Sequence, residues 1–402
     1  MRVGLLANIK PEQPTEEVAE KLGLRNSNGR SGQLVSNDTS GASASGAHAS
    51  GARAAANAGL TASELISSEL VDLFAEWDSK ATIDAVALAL ESHPDVEVEI
   101  IEAVPKIALP KLTNEHYDIV FNLAEGFLGA AREAQFPALL EMLNIPYTGS
   151  GPLSLAVALD KARTKEILAY HGVPVARFVT ATERVQTLTQ ILPGANYPVV
   201  VKPVSEGSGK GIRNSSFVKT DDELNNEIER IRVSYKQAAI IEEFLPGREF
   251  TVAVLGNGEK ARVLPIVEIN FAELPKDANP IYGFEAKWIY DVAENPLDIF
   301  SCPARIPEAL RNEIESVVLR AYEVLECKDW SRIDVRLDAR GRANIIEINP
   351  LPGILPNPEE NSCYPKAARA AGLTYEEMML SVLKAGCDRY AIPFDFQPAK
   401  TS

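Results

Sequence analysis

"SRIDVRLDARGRANIIEIN", Ser331 to Asn349, decides the fold of this chain. Two apolar-alternating runs flank a turn containing Gly341, so the stretch reads as a β-hairpin. Side chains two apart on a strand share a face. Arg332 and Asp334 therefore point one way on the first strand, and Glu347 and Asn349 one way on the second. With an even number of turn residues about Arg340-Gly341, Asp334 stands opposite Glu347 and Arg332 opposite Asn349; a bulge would shift this by one. Two bare carboxylates side by side repel unless a cation bridges them, and magnesium takes hard oxygen ligands. Asp334, Glu347 and Asn349 are thus candidate metal ligands. A solvated strand face with cross-strand Arg–Glu pairing is the plain alternative.

The 402 residues suggest two or three subdomains, and 46% hydrophobic residues suffice for real interiors. Forty basic against 56 acidic residues give a net charge of −16. Such a chain does not attract nucleic acid or an anionic membrane in bulk, so any anionic ligand must be held by locally placed cations. No run of about 18 apolar residues suggests a membrane span. The opening "MRVGLLANIK" reads as a strand, without the pattern of a secretory leader. Cys302, Cys327, Cys363 and Cys387 have no C-x-x-C spacing, which favours reduced thiols and a cytoplasmic location. His48, His93, His116 and His171 are scattered, which argues against zinc or Ser-His-Asp chemistry.

Residues 3–7 read as a buried strand. Residues 25–62 are Gly, Ser, Ala and Asn with few large apolar side chains, the composition of a disordered surface insertion. Order is expected to resume at Glu64 to Phe74, and helices are expected at Lys80 to Leu90 and within "AREAQFPALLEMLNI". "VEVEIIEAV" and "YDIVFNLAEG" read as strands, and a helix follows the turn in "PYTGSGPLSLAVALDKARTKEILAYHG". Strands alternating with helices imply a parallel sheet, with ligands at the strand carboxyl ends, where Asn122, Glu125 and Gly126 lie. From Val173 the pattern becomes strand–turn–strand in "YPVVVKPVSEGSGKGI" and again in "AAIIEEFLPGREFTVAVLG". A helix at 307–327, the hairpin, and a helix from Pro365 to about Leu383 complete the chain. The fold class is α/β over the first 150 residues, followed by α+β.

Other stretches can hold an anion. Val199–Val201 deliver Lys202 to a strand end, and the backbone N–H groups of Ser205–Gly211 can cradle phosphate oxygens. The spacing is that of neither a P-loop nor a Rossmann turn, and a flexible hairpin is the bland reading. In "IIEEFLPGREFTV" the chain turns at Pro246-Gly247, where free backbone groups can read an adenine edge and Glu249 can hold ribose hydroxyls. An ordinary acidic turn has the same composition. Lys161 in "LDKARTK" and Lys287 in "YGFEAKWIYD" are suited to phosphate, although a snorkelling surface lysine is commoner.

Taken in order, "LDKARTK", "VVVKPVSEGSGKG", "IIEEFLPGREFTV", "FEAKW", "RIDVRLD" and "IIEINPLPG" resemble the ATP-grasp ligases, in the D-alanine–D-alanine ligase-like branch, over roughly Val120 to Leu383. The resemblance implies three domains, at 1–150, 151–248 and 249–390, with ATP clamped between the second and third and two magnesium ions for which manganese can substitute. It puts Lys161 and Lys202 on the phosphates, beneath a lid containing Ser205, Glu206, Gly207, Ser208 and Gly209. Glu242, Glu243, Phe244, Leu245 and Glu249 would hold adenine and ribose. Lys287 would meet the transferred phosphate, Ser208 and Arg332 would act in catalysis, with Arg332 on the developing oxyanion, and Asp334, Glu347 and Asn349 would hold the metal. A substrate carboxylate attacks the γ-phosphate, and an amine then displaces phosphate from the acyl phosphate.

The chain departs from that branch on the substrate side. No Gly-Gly-x-Ser-x-Glu loop follows the first strand. "FNLAEGFLGAAREAQ" replaces a His-Gly loop, Trp288 replaces a tyrosine, and "PGILPNPEENSCYP" is enlarged around Ser362. The expected substrates are two amino-acid-like molecules or a dipeptide, touched by Asn122, Glu125, Arg132, Glu133, Gly353 and Ser362. The resemblance also implies a homodimer. True D-alanine–D-alanine synthesis, a phosphotransferase and a nucleotide-binding regulator without turnover are the alternatives.

Overall fold

The computed structural model describes residues 1–11, 74–271, 279–281, 283 and 299–398. The insertion expected at 25–62 and nearly all of the ordered segment expected at Glu64 to Phe74 lie outside them. The chain divides into two compact units, residues 1–8 with 81–402 and residues 9–80. Within the second, the Lys10 N–H donates to the Asp78 carbonyl at 2.7 Å, and Phe74 packs on Trp77 with ring centroids 4.9 Å apart.

The larger unit begins with strand β1 (Arg2–Ala7), followed by α1 (Lys80–Glu91), β2 (Glu97–Glu102), α2 (Pro105–Asn114) and β3 (Ile119–Leu123). The strands are parallel, in the order β2-β1-β3, as the alternating pattern predicts. Every residue of β3 is buried, as a strand covered on both faces requires. Leu6, Ile101 and Val120 pack there against Phe136 and Leu140 of α3 (Gln135–Met142).

Two helices follow where the periodicity suggests one: α4 (Pro152–Leu159) and α5 (Lys161–Tyr170). Asp160 between them is extended, and its carboxylate accepts the Ala162 and Arg163 N–H groups at 3.0 and 2.9 Å. Capping a new helix there offsets the orphaned donors of the break. The Lys161 N–H turns outward to the Val204 carbonyl at 3.0 Å.

A four-stranded antiparallel sheet comes next, in the order β4-β7-β5-β6. Its elements are β4 (Phe178–Ala181), α6 (Leu188–Ile191), β5 (Val199–Pro203), β6 (Phe217–Val218), α7 (Asp221–Ser234) and β7 (Ala239–Glu243). Val199, Val201 and Ile241 pack on Leu224, Ile228 and Ile231, which recur at helical spacing on α7. The strand partner after the Gly-rich turn is Phe217–Val218 rather than the residues up to Ile212, so 204–213 form a long loop.

The third sheet is antiparallel with six strands: β8 (Glu249–Leu255), β9 (Arg262–Val263), β10 (Val267–Ile269), β11 (Phe300–Ser301), β12 (Trp330–Leu337) and β13 (Ala343–Asn349). Helix α8 (Glu308–Val324) covers it, and α9 (Cys363–Ala370) and α10 (Tyr375–Arg389) end the chain. The single final helix expected from sequence is split, because Thr374 and Glu377 form a capping box that starts a second one. No helix among the described residues is long and apolar enough to cross a membrane.

Strands β7 and β8 belong to different sheets, so Pro246-Gly247 joins two layers instead of closing a hairpin. The Gly247 N–H donates to the Leu337 carbonyl at 2.9 Å, and a Cβ at 247 would meet Leu337 Cβ and O at 2.6 Å. Gly247→Ala should therefore force the backbone apart and destabilise the fold by about 1–3 kcal/mol, read as a lower urea midpoint. An unchanged midpoint would show that the junction can relax.

The opening hairpin pairs Arg332 with Asn349 and Asp334 with Glu347. The reason differs from the expected one. Leu337 pairs with Ala343, which leaves five turn residues, an odd number. A bulge then leaves Ile346 without a partner between the Asp334–Glu347 and Val335–Ile345 pairs. The two irregularities cancel. Ile333, Val335, Leu337, Ile345 and Ile348 enter the core with Phe250, Val252 and Ile314, leaving the polar residues on the opposite face.

Candidate active site

On β12, Arg332, Asp334 and Arg336 alternate with the core residues and pair with Ala253, Thr251 and Glu249 of β8. The Arg332 guanidinium grips Asp334 through two bonds of 3.2 Å. Asn349 Nδ2 donates to Asp334 Oδ2 at 3.3 Å. Lys161, delivered by the helix break at Asp160, reaches Glu347 Oε1 at 2.8 Å and also donates to the Glu206 carbonyl. Burial alone would lower the Lys161 pKa, but Glu347, Glu206 and Glu242 together hold it above its ordinary value. Burial likewise works against the Glu347 carboxylate, yet Lys161, Lys202 and Arg332 bring its pKa down to about 2.

On the four-stranded sheet, Lys202 of β5 donates to Glu242 Oε2 of β7 at 3.0 Å. The other Glu242 oxygen lies 3.5 Å from Lys165 Nζ, which is itself 3.4 Å from the Ile345 carbonyl beside the bulge. Burial opposes the Glu242 charge, but Lys165, Lys202 and Lys161 outweigh it and lower its pKa. Burial, with Lys202 nearby, lowers that of Lys165 despite Glu242. Sequence reasoning missed Lys165. The available signal was its place one turn beyond Lys161, which puts both on one helix face.

The Gly-rich loop has left-handed backbone at Ser208, Gly209 and Gly211. The Glu206 carboxylate is its hub, with Lys210 at 2.9 Å, Gln237 at 2.6 Å and Arg132 at 3.5 Å. Ser205 is buried and donates its N–H to Gln237, and Gly207 accepts the Lys210 N–H. Arg132, expected to touch substrate, also donates to the Ser205 carbonyl at 3.1 Å and so joins the first segment of the chain to this loop.

The acidic pair on β7 divides. Glu242 faces the lysines, whereas the Glu243 carboxylate pairs with Arg177 at 2.9 Å on the other side. Phe244 meets Phe217 edge-on at 4.8 Å, and Leu245 is half-buried beside it. Glu249 pairs with Arg336 at 2.7 Å. Burial still raises its pKa to about 7, with Asp334 adding to the rise and Arg336 opposing it. Lys287 lies outside the described residues.

Asn122 is fully buried at the carboxyl end of β3. Its Oδ1 accepts the Ala124 N–H at 3.2 Å, and its Nδ2 has no partner. Glu125 is half-buried and Glu133 buried. Ser362 donates to the Gly353 carbonyl at 2.9 Å and accepts the Leu355 N–H at 3.2 Å, so it braces the Gly353 loop from within.

Two antiparallel sheets, one carrying Lys202 and Glu242 and the other Arg332, Asp334, Glu347 and Asn349, linked through Lys161 and Lys165 of the helix beside them, constitute the ATP-grasp architecture. The solved D-alanine–D-alanine ligase of Bacillus anthracis complexed with ATP has this fold, with a TM-score of 0.63 over 97% of this chain and 99% of that one, at 19% identity. Residues 167–384 match the family model described as the D-ala D-ala ligase C-terminus. The D-alanine–D-alanine ligase of Pelotomaculum thermopropionicum is 30% identical over 306 residues, 74% of this chain and 86% of its own length. An uncharacterized protein of Sinorhizobium fredii, y4sG, is 32% identical over 320 residues, 78% of this chain and 90% of its own. The chain belongs to the D-alanine–D-alanine ligase family, ATP-dependent ligases that form amide bonds.

Proposed function

We infer that the chain joins the carboxylate of one amino-acid-like molecule to the amine of another, using ATP and proceeding through an acyl phosphate, in the gap between the two antiparallel sheets. The observation that carries this reading is the pairing of Asp334 with Glu347 and of Arg332 with Asn349 on one sheet face, with Lys161 bonded to Glu347. Two carboxylates and an amide oxygen on neighbouring strands are a hard-oxygen set, which fits magnesium. Asp334, Glu347 and Asn349 would hold it. Bound there, magnesium supplies charge neutralisation to the phosphates and to the group in transfer.

The residues of the chain supply the rest. Lys161 and Lys202 pair with the nucleotide phosphates, exchanging carboxylate partners for phosphate oxygens. The loop with Ser205, Glu206, Gly207, Ser208 and Gly209 closes over them and excludes the water that would hydrolyse an acyl phosphate. Phe244, Leu245 and Glu249 hold the nucleoside, and Glu242 fixes Lys202 and Lys165. Arg332 steadies the oxyanion formed as the amine attacks the acyl carbon and phosphate leaves. Asn122, with its unpartnered amide nitrogen, and Glu125, Arg132 and Glu133 form the substrate side, and Ser362 shapes the loop at Gly353. Three functional segments, 1–150, 151–248 and 249–390, follow the three sheets. A homodimer in the cytoplasm completes the reading, supported by the family resemblance, the acidic charge and four cysteines without a disulfide.

The test is phosphate release with magnesium and ATP over D- and L-amino acids, singly and in pairs. The expected result is turnover that needs both a carboxylate and an amine substrate. ADP formed without an amine would indicate a phosphotransferase, and no ADP under any condition a binding module.

A further inference from the structure

Arg336 is 5% exposed and has no part in the roles above. Its NH1 donates to Glu249 Oε2 at 2.7 Å and to the Pro280 carbonyl at 2.8 Å. The guanidinium lies 4.5 Å from the Phe244 ring centroid and 5.0 Å from that of Phe271. A planar fork held by a carboxylate, a carbonyl and two aromatic faces has a fixed orientation, which a lysine could not reproduce. Its Nε–H nevertheless has no partner, and neither does the buried Thr251 Oγ1 on the same sheet face. A buried polar atom left unpaired costs stability, and few are tolerated without a reason. Two of them flanking Glu249 mark a place where a ligand completes the bonding.

We propose that Arg336 is a positioning and selectivity residue for the nucleoside end of ATP, holding the Glu249 carboxylate on the ribose hydroxyls and donating its Nε–H to an acceptor of the nucleoside. The proposal rests on the reading of the gap as the ATP site. Phe244 and Phe271 set the plane of the guanidinium, and Glu249 gains a direction that burial alone would not give it. Arg336 acts on binding, remote from the phosphate transfer, so its loss should appear in KM and leave kcat nearly untouched.

The test measures phosphate release by the full chain with ATP and with 2′-deoxy-ATP. Wild type should favour ATP by about tenfold in KM, the value of one hydrogen bond to a charged group. Arg336→Met should raise KM for ATP about 10- to 100-fold, leave kcat within about threefold, and bring the deoxy-to-ribo ratio close to one. Arg336→Lys keeps the charge beside Glu249 and should restore part of that ratio. A purely structural role would lower the active fraction and leave the ratio intact, which overturns the proposal, as does an unchanged KM. Should the Met variant not fold, the Lys variant and ADP titration of it carry the same comparison. Wild-type enzyme that turns over with ATP while ignoring the 2′-hydroxyl refutes this proposal alone; no use of ATP at all refutes the site reading as well.

Discussion

Glutamine at position 347 is expected to lower turnover by at least about 100-fold while the chain still folds. Loss of outer partners of a metal site costs about 10- to 100-fold, so loss of a direct ligand should reach at least the upper end. Two effects combine. The amide removes one negative oxygen from the set that faces Asp334, and it removes the partner of buried Lys161 at 2.8 Å. Gln keeps the shape of Glu, so strand β13 should remain in place. The comparison is single-turnover phosphate release against magnesium concentration, with the urea midpoint measured alongside. Near-normal, magnesium-dependent turnover in a folded Glu347→Gln enzyme would remove Glu347 from the metal set.

Arg332→Lys should cost about 10²- to 10³-fold in kcat, with the KM for ATP changed little. Lysine keeps the charge but not the fork that bonds Asp334 twice at 3.2 Å. Its ammonium would follow Asp334 or the developing oxyanion, without the geometry to serve both. Loss of affinity for ATP with kcat preserved would move Arg332 out of the acyl-transfer step and into nucleotide binding.

The chemistry-bearing face of β12 and β13 was legible because the period of a strand is two: Arg332, Asp334, Glu347 and Asn349 had to lie on faces set by their spacing. The turn was not legible. "DARGR" does not declare its length, and the bulge at Ile346 leaves no local mark in a run of isoleucines. The separation of β7 from β8 was legible only through the family resemblance, which put a boundary at 248–249; the local sequence offers a Pro-Gly turn, and sheet membership depends on distant partners such as Leu337. The break before Lys161 was readable in principle, since an aspartate preceding a helical run is a capping signal. The helical periodicity across it was continuous enough to conceal it. Lys165 and Arg336 were overlooked for a common reason. Their importance lies in burial beside carboxylates, which only the packed chain reveals.

The unpartnered Ile346 gives the hairpin slack. A deletion of one residue between Asp338 and Ile346 can be absorbed by straightening the strand, and Asp334 still meets Glu347 across the ladder. An insertion within the strand itself, between Ala343 and Glu347, has no such reserve, because a second irregularity would be needed to bring the carboxylates back together. Length variation within this strand should therefore be lopsided, with shortening by one compatible with chemistry and lengthening by one leaving a folded but inert sheet.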